Sequence, residues 1–256
     1  MTSFNASIDL AAPLLGVSQP ISTDHPDQKD LKLMDSLLET LHNFNNYETQ
    51  EETNLRFKAL GNLNRMANEW VQVVTNARIP NGQDINAGGK LLAFGSYRLG
   101  VHSPQADIDT VLLAPRQVNR KDFFSSFINV LRKDPEVKEL HSVEKAFVPL
   151  IKLKYFGIDI DILFAQLSLK EIPNELDLLN DSLLKNVDNE SIRSLNGVRV
   201  VERLLNLVPN QNAFCTTLRA VKLWATNHGV YSNSMGFFDE SFKDDSSMAT
   251  RLALCG

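Results

Sequence analysis

The sequence predicts an α+β protein in which helices flank a β-sheet and a further group of helices follows. Three observations lead to that fold class. Apolar residues recur at helical spacing in the first third of the chain. Short runs of strand-like alternation occupy the middle, and helical spacing returns toward residue 228. Along the chain, helices are therefore predicted before and after the strands of the sheet.

Two amphipathic helices are predicted before the first strand. The first covers about 27–44. Its apolar residues are Leu31, Met34, Leu37, Leu38 and Leu41. The second begins with the capping box Thr49-x-x-Glu52. Its apolar stripe is Leu55, Ala59, Leu63, Met66, Trp70 and Val74.

A tight turn dominates the start of the next stretch, from Leu92 to Leu113. It reads L-A-F-G-S-Y-R-L-G-V-H-S-P-Q-A-D-I-D-T-V-L-L, which predicts strand, turn, short helix, loop and strand. Gly95 has no Cβ, so a ligand can approach the backbone, and the amides that begin the following helix can bind an anion. Gly95 and Ser96 therefore indicate a phosphate site.

A pair of aspartates ends the same stretch. Asp107 and Asp109 are two residues apart, and side chains at that spacing in a strand point to one face. Two adjacent carboxylates repel each other unless a cation lies between them. Alone, a D-x-D pair in a strand is more often a solvated edge. Beside a phosphate site, it predicts a divalent metal bound with a nucleoside triphosphate.

A second pair of aspartates lies further along the chain. After a predicted helix at 121–132, strands are expected near 137–145, 147–155 and 158–165. Alternation in the last strand puts Asp159 and Asp161 on one face. One of them should complete the metal site, and periodicity does not choose between them.

A polar link from Asn174 to Asp188 is where we place a domain boundary. Helices are predicted beyond it, at about 191–207 and 213–228. The buried side of the last one should contain Phe214, Leu218, Val221 and Ala225. From the pattern alone, Lys222 could equally be a surface charge, and Tyr231 a core aromatic.

Composition limits the class of protein. Of 256 residues, 43% are hydrophobic and 22% are charged, which is ordinary for a soluble globular chain. The net charge of −5 implies that any RNA-binding surface is local or missing, because phosphate affinity rests on Lys and Arg. The chain has two cysteines, which are too few for a disulfide framework, so a reducing compartment is expected. The first residues do not resemble a secretory signal. No apolar run approaches the roughly 20 residues that a membrane-spanning helix needs, so no membrane association is predicted.

Six blocks resemble eukaryotic nuclear poly(A) polymerases, in the same order and in one register from about Leu15 to Phe237. They are F-G-S-Y-R-L-G-V-H, D-I-D-T, A-F-V-P-L-I-K-L-K, G-I-D-I-D-I-L-F-A, S-L-N-G-V-R-V and R-A-V-K-L-W-A. The resemblance implies a polymerase-beta-like nucleotidyltransferase domain, with a mixed sheet flanked by helices, followed by the start of an all-helical central domain.

The resemblance also implies a reaction. An RNA 3′-hydroxyl would attack the α-phosphate of ATP and release pyrophosphate, with two Mg²⁺ or Mn²⁺ ions about 4 Å apart. Asp107 and Asp109 would bridge the metals. Asp161 matches the third catalytic aspartate of the family, whereas Asp159 matches a position where relatives need only a polar residue.

Nucleotide contacts are implied in the same way. Gly95 and Ser96 would hold the β- and γ-phosphates, and Lys222 and Tyr231 would clamp the triphosphate from the second domain. Lys152 would reach the primer or the nucleotide. The candidate adenine contacts are Phe147, Val148 and Asn233. The further candidate nucleotide-binding residues are Phe94, Ser103 and Asn196.

The implied organisation has four parts: an N-terminal arm at 1–22, a catalytic domain at 23–180, a partial helical central domain at 181–237, and a divergent, acidic tail at 238–256. We expect the tail to be disordered and to be an out-of-frame or alternatively spliced end. The expected partners are ATP, an RNA 3′ end that binds weakly because the RNA-binding domain of relatives is not matched, and 3′-end processing factors. The expected location is the nucleus.

Two other functions remain open at this level. The Gly-Ser turn and the D-x-D pair alone would permit another nucleotidyltransferase substrate, such as a transfer RNA end or a small molecule. An inactive, truncated form could instead act as a nucleotide- or partner-binding module.

Overall fold

The computed structural model describes residues 22, 24–79 and 88–231. The helices are α1 (Gln28–Asn43), α2 (Gln50–Asn76), α3 (Gly95–Arg98), α4 (Arg120–Asp122), α5 (Ile128–Leu131), α6 (Asn189–Leu207) and α7 (Gln211–Asn227). The strands are β1 (Lys90–Phe94), β2 (Ile108–Ala114), β3 (Val137–Val143), β4 (Leu150–Tyr155) and β5 (Ile158–Gln166). A π-helical turn at Phe123–Phe127 joins α4 to α5, and a 3₁₀ helix covers Asp181–Leu184.

The capping box predicted for α2 is confirmed. The Thr49 side chain accepts a hydrogen bond from the Glu52 amide at 3.2 Å, and the Glu52 carboxylate accepts one from the Thr49 amide at 2.8 Å. Asp27 and Asp30 make the same reciprocal pair at the start of α1. Both helices therefore begin with their first free amides satisfied.

The five strands form one mixed sheet in the order β1-β2-β5-β4-β3. Only β2 and β5 are parallel among the described strands, and the other neighbours run antiparallel. The α+β fold with a mixed sheet flanked by helices, predicted from the resemblance, is confirmed. The predicted strand at 147–155 begins later, at Leu150.

Helices cover both faces of this sheet, and strand alternation divides the core between them. On one face, Ile108 and Leu112 of β2 belong to a core that includes Leu63 and Trp70 of α2. On the other face, Val111 and Leu113 belong to a core that includes residues of α6. The residues of α6 in that core are Leu195, Val198, Val201 and Leu205. Odd-numbered residues of β2 and β5 therefore face α6.

Two predicted apolar stripes are only partly buried. In α7, Ala225 is buried and Phe214 and Leu218 are half-buried, but Val221 is exposed, so its predicted burial is wrong. In α1, Leu41 is buried while Leu31 is exposed. Helical spacing identifies an apolar face correctly, but the neighbouring elements decide how much of that face is covered.

Parts of the predicted organisation lie outside the described residues. These are the arm at 1–22 apart from Ser22, the tail at 238–256, and Asn233. The predicted domain limits remain predictions. Among the helices that the structure describes, none combines the length and the apolar character needed to cross a bilayer.

Candidate active site

Three aspartates come together where β2 begins. Asp109 and Asp161 are register partners on the parallel strands β2 and β5, and Asp107 directly precedes β2. One carboxylate oxygen from each of the three lies within 4.8 Å of the others. Asp109 and Asp161 are almost fully buried, and Asp107 is half-buried.

The strand pairing explains this proximity. In β2 and β5 the odd-numbered side chains share the face that α6 covers, so the register partners Asp109 and Asp161 point the same way. The Thr110 hydroxyl points to the opposite face and donates to the Asp161 carbonyl at 2.9 Å, which ties the two strands together at this level.

The Gly-Ser turn lies directly against Asp109. Gly95 has a φ of +62°, and a Cβ at this position would lie 2.6 Å from Asp109 Oδ2. That separation is far shorter than any van der Waals contact, so both the backbone conformation and the space require glycine. Phe94 is the register partner of Asp109 across β1 and β2. The predicted phosphate turn and the D-x-D pair are therefore neighbours in space.

Lys152 of β4 is paired with one of the three carboxylates. Its Nζ lies 2.9 Å from Asp161 Oδ2, and the two residues are register partners across β4 and β5. The lysine side chain is 52% exposed, whereas that of Asp161 is 5% exposed. The ammonium group thus reaches the carboxylate from the solvent side.

Asp159 lies outside the cluster, although it shares a face with Asp161. Its side chain is 63% exposed, and its Oδ1 lies 3.6 Å from Lys154 Nζ. Lys154 also donates to Glu139 at 3.1 Å, and these carboxylates raise the pKa of the lysine. Asp159 therefore has the position and the partner of a solvated surface residue.

The residues predicted on α7 reach the loop between α3 and β2. Lys222 Nζ donates to the Val101 carbonyl at 3.1 Å and lies 5.9 Å from the centre of the Tyr231 ring. Ser103, in the same loop, is half-buried. The helix that carries Lys222 is thus in direct contact with the segment that leads to Asp107.

The remaining candidates fall into buried and exposed groups. Val148 and Phe94 are buried, and the Phe94 ring packs closely against Gly197 of α6, next to exposed Asn196. Phe147 is 52% exposed, and the guanidinium of Arg193 lies 4.3 Å from the centre of its ring. Phe147 therefore offers an aromatic face at the surface, whereas Val148 and Phe94 are part of the core.

Two protein-family models match this chain. A family model described as the poly(A) polymerase nucleotidyltransferase domain matches residues 16–208, and one described as the poly(A) polymerase central domain matches residues 213–240. The chain belongs to the poly(A) polymerase family. The family resemblance predicted from six sequence blocks is confirmed.

Relatives of known identity agree with this membership. The chain is 46% identical to a poly(A) polymerase of Dictyostelium discoideum, over 88% of this chain and 28% of that protein. It is 43% identical to poly(A) polymerase PAPalpha of Candida albicans, over 87% and 40%. It is 44% identical to nuclear poly(A) polymerase 1 of Arabidopsis thaliana, over 91% and 33%. The chain thus spans well under half the length of these poly(A) polymerases.

A solved structure supports the fold alone. The crystal structure of the Cid1 poly(U) polymerase superposes with a TM-score of 0.52 at 16% identity, over 84% of this chain and 52% of that one. The arrangement of sheet and helices is therefore shared with that poly(U) polymerase.

The three carboxylates of this poly(A) polymerase family member fit a hard divalent cation. Magnesium and manganese prefer oxygen ligands, and a nucleotidyltransferase places them between carboxylates and phosphates. Asp107, Asp109 and Asp161 supply carboxylate oxygens close enough to share an ion, and they lie beside a glycine turn. The donor set and its position are what such a site requires.

Sequence analysis missed a group of buried charges beside the site. Arg56, Arg219 and Glu48 all have side chains that are largely buried near the loop after α3. Burial lowers the pKa of His102 in this group, although Glu48 opposes that effect, and burial likewise lowers the pKa of Arg219. A signal was available for Arg219, because it stands three residues before Lys222 on the same helix.

Proposed function

We propose that this chain is the catalytic core of a poly(A) polymerase, which transfers AMP from ATP to the 3′-hydroxyl of RNA. The observation that carries the proposal is the group of three aspartates within 4.8 Å beside the Gly95 turn. The family membership of the chain supports the choice of reaction.

The reaction is an in-line displacement at phosphorus. The RNA 3′-hydroxyl gives up its proton to solvent as its oxygen forms a bond to the α-phosphorus of ATP. The bond from that phosphorus to the bridging oxygen breaks, and pyrophosphate leaves with the bond electrons. Magnesium or manganese, when bound, would favour the ionised hydroxyl and neutralise charge on the phosphate oxygens. Asp107, Asp109 and Asp161 are the proposed ligands. Asp109 and Asp161 lie in paired strands and Asp107 directly precedes one of them, so the three carboxylates would be held in place for a reaction that depends on fixed geometry.

The turn and α7 are the proposed triphosphate contacts. Gly95 and Ser96 lie next to Asp109, so their backbone would meet phosphates that share the metal. Lys222 contacts the α3–β2 loop and lies near Tyr231, and together they would offer a cation and a hydroxyl to phosphate oxygens.

The base, the primer and further contacts are proposed for a third set of residues. Phe147 is the proposed stacking partner of adenine, since the residue is half-exposed and the Arg193 guanidinium already packs against its ring. Lys152 would reach the primer or the nucleotide from beside Asp161. The other proposed nucleotide-binding residues are Phe94, Ser103, Val148, Asn196 and Asn233.

Further features of the proposal come from the relatives. RNA is the proposed acceptor and 3′-end processing factors are the proposed partners. The nucleus is the proposed location, since one relative is a nuclear poly(A) polymerase. Weak RNA binding is expected, because the net charge of −5 provides little general attraction for phosphate.

Primer extension tests the function. The chain is incubated with an oligo(A) primer, Mg²⁺ or Mn²⁺, and each labelled nucleoside triphosphate in turn, with Asp109→Ala as the inactive control. Metal-dependent incorporation of AMP in preference to the other nucleotides is the expected result. Preference for another nucleotide would indicate a different transferase. Metal-dependent ATP binding without incorporation would indicate a binding module.

A further inference from the structure

The first six residues of the loop between α3 and β2 are held by hydrogen bonds, most of them from side chains. Every carbonyl from Leu99 to Pro104 accepts a hydrogen bond. Ser103 accepts one from the backbone amide of Ala106, and the other five accept from side chains. A loop of this kind normally leaves some carbonyls to water.

Most of those side chains come from one face of α7. Cys215 Sγ donates to the Leu99 carbonyl at 3.0 Å, and Lys222 donates to the Val101 carbonyl at 3.1 Å. Arg219 lies between them and donates to two carbonyls, those of Gly100 at 2.8 Å and His102 at 2.7 Å. The residues one helix turn before and one helix turn after Arg219 thus contact the same loop.

Arg219 is the centre of this contact. It is 8% exposed, its guanidinium also donates to the Asn46 carbonyl, and it lies 4.7 Å from the centre of the Tyr47 ring. The planar guanidinium presents several donors in a fixed geometry, whereas a lysine ammonium could satisfy fewer of these carbonyls at once. Burying a charged side chain is costly unless its hydrogen bonds are made, and here they join three separate segments.

From the other side, α2 contacts the end of the same loop. Arg56 is 3% exposed and donates to the Pro104 carbonyl at 2.8 Å. Glu48 pairs with Arg56 and lies 3.1 Å from His102 Nε2. Side chains from both α2 and α7 therefore hydrogen-bond to the loop.

This loop determines the position of one aspartate more than the other two. Asp109 and Asp161 lie within paired strands, so ladder hydrogen bonds fix their backbones. Asp107 precedes β2 and follows this hydrogen-bonded segment, and it is half-buried. The position of its carboxylate therefore depends on the loop before it as well as on the start of β2.

We infer that Arg219 is a positioning residue, which sets the place of Asp107 in the metal site through the Leu99–Pro104 segment. The inference rests on the proposed function, because it concerns the ligands of the same ion. It assigns to α7 a role in metal binding that is separate from any direct contact with the nucleotide.

Manganese binding by the whole chain tests the inference without any catalysis. Electron paramagnetic resonance measures the affinity for Mn²⁺ alone, in the unmodified chain and in Arg219→Lys. We expect affinity to fall about tenfold, the typical cost of losing a group that orients a metal ligand. Arg65→Lys is the matched control, because Arg65 is 62% exposed and pairs only locally with Glu69, and it should leave the affinity unchanged.

A second pair of variants separates positioning from general stability. If Arg219 acts through Asp107, then Arg219→Lys should have almost no effect on Mn²⁺ affinity in a chain that already carries Asp107→Asn. Equal weakening in both backgrounds would overturn the inference, as would unchanged affinity in Arg219→Lys. Should Arg219→Lys fail to fold, Cys215→Ala removes a neighbouring bond to the same loop and should weaken Mn²⁺ binding by a smaller factor.

Failure of the inference and failure of the proposed function give different results. If the unmodified chain binds no Mn²⁺, or binds it as well after Asp109→Ala, the metal site is wrong and the inference falls with it. If the unmodified chain binds Mn²⁺ and Asp109→Ala does not, the site stands, and the Arg219 variants alone decide the inference.

Discussion

Two lysine–aspartate pairs join β4 to β5 on one face of the sheet, yet they have different surroundings. Lys152 pairs with Asp161, and Lys154 pairs with Asp159, each as register partners. The Asp161 side chain is 5% exposed, whereas that of Asp159 is 63% exposed. Identical residue types at identical spacing therefore occupy a buried site and an open surface.

The neighbouring strand accounts for the difference. β2 is paired with β5 from Ile160 onward, so Asp161 has Asp109 beside it. Asp159 lies before that pairing begins and has β4 on one side only. Alternation determines which face a side chain occupies, and the point at which the adjacent strand starts determines its burial and its neighbours.

The largest effect is expected from Asp109, the residue that makes the two pairs differ. Asp109→Ala should abolish nucleotidyl transfer in primer extension, because the phosphate charge loses a shared metal ligand. Its free energy of unfolding without metal should not fall much, since removing one of several adjacent carboxylates relieves repulsion. Transfer at the unmodified rate would contradict the metal site altogether.

The two aspartates of β5 give the most direct test of the comparison. Asp161→Asn should reduce the transfer rate by orders of magnitude, and Asp159→Asn by less than about tenfold, or roughly 1.4 kcal/mol of barrier. Single-turnover primer extension at saturating ATP measures both. Equal losses would mean that proximity to β2 is not what distinguishes them.

Two glycines sharpen the comparison at the backbone. Gly95 and Gly157 have φ values of +62° and +79°, but a Cβ at Gly157 would meet no atom within 4 Å. Alanine at Gly157 should cost about 1–2 kcal/mol of stability by denaturant unfolding, because the conformation is left-handed. Alanine at Gly95 should cost more, because the clash with Asp109 adds to the same backbone strain. Only Gly95→Ala should also weaken Mn²⁺ binding, because its methyl group would displace Asp109. Weakened binding in Gly157→Ala would show that strain alone affects the site.

The smallest effect is expected from the lysines. The Lys152 ammonium competes with a cation for Asp161, so Lys152→Met should tighten Mn²⁺ binding. Because this lysine is half-exposed, the gain should be at most about fivefold, the equivalent of roughly 1 kcal/mol. Lys154→Met is the matched variant and should leave Mn²⁺ affinity unchanged. Weaker binding in Lys152→Met would mean that the lysine supports the metal rather than competing with it.

Local pattern was sufficient to predict much of this site. The Gly95 turn and the D-x-D pair predict a phosphate and metal site because their chemistry is contained in one short stretch, and the structure brings the two features together. Alternation also narrowed the third ligand to Asp159 or Asp161. It could not choose between them, because the choice depends on where β2 begins alongside β5. Resemblance to the family was needed to favour Asp161.

Features that depend on distant contacts were not predictable in this way. Arg219 lies in an amphipathic helix and resembles a surface charge, but it donates to a carbonyl 117 residues away in sequence. Val221, two residues later, fits the apolar stripe and is nevertheless 52% exposed. The spacing of residues in α7 describes its faces, whereas the loop docked against it determines which face is buried.

The parallel pairing of β2 with β5 has a consequence for folding. Thr110 and the carbonyl of Asp161, which bond across these strands, are separated by 51 residues in sequence. The neighbouring β4–β5 hairpin can form from local contacts. The parallel pairing of β2 with β5 requires the long segment between these strands to close into a loop, which slows its formation. Asp109 meets Asp161 only after that step, so a partly folded chain lacks the carboxylate cluster proposed to bind metal. A cation that binds only the completed sheet stabilises it by mass action, and a chelator would withdraw that stabilisation from the native state alone.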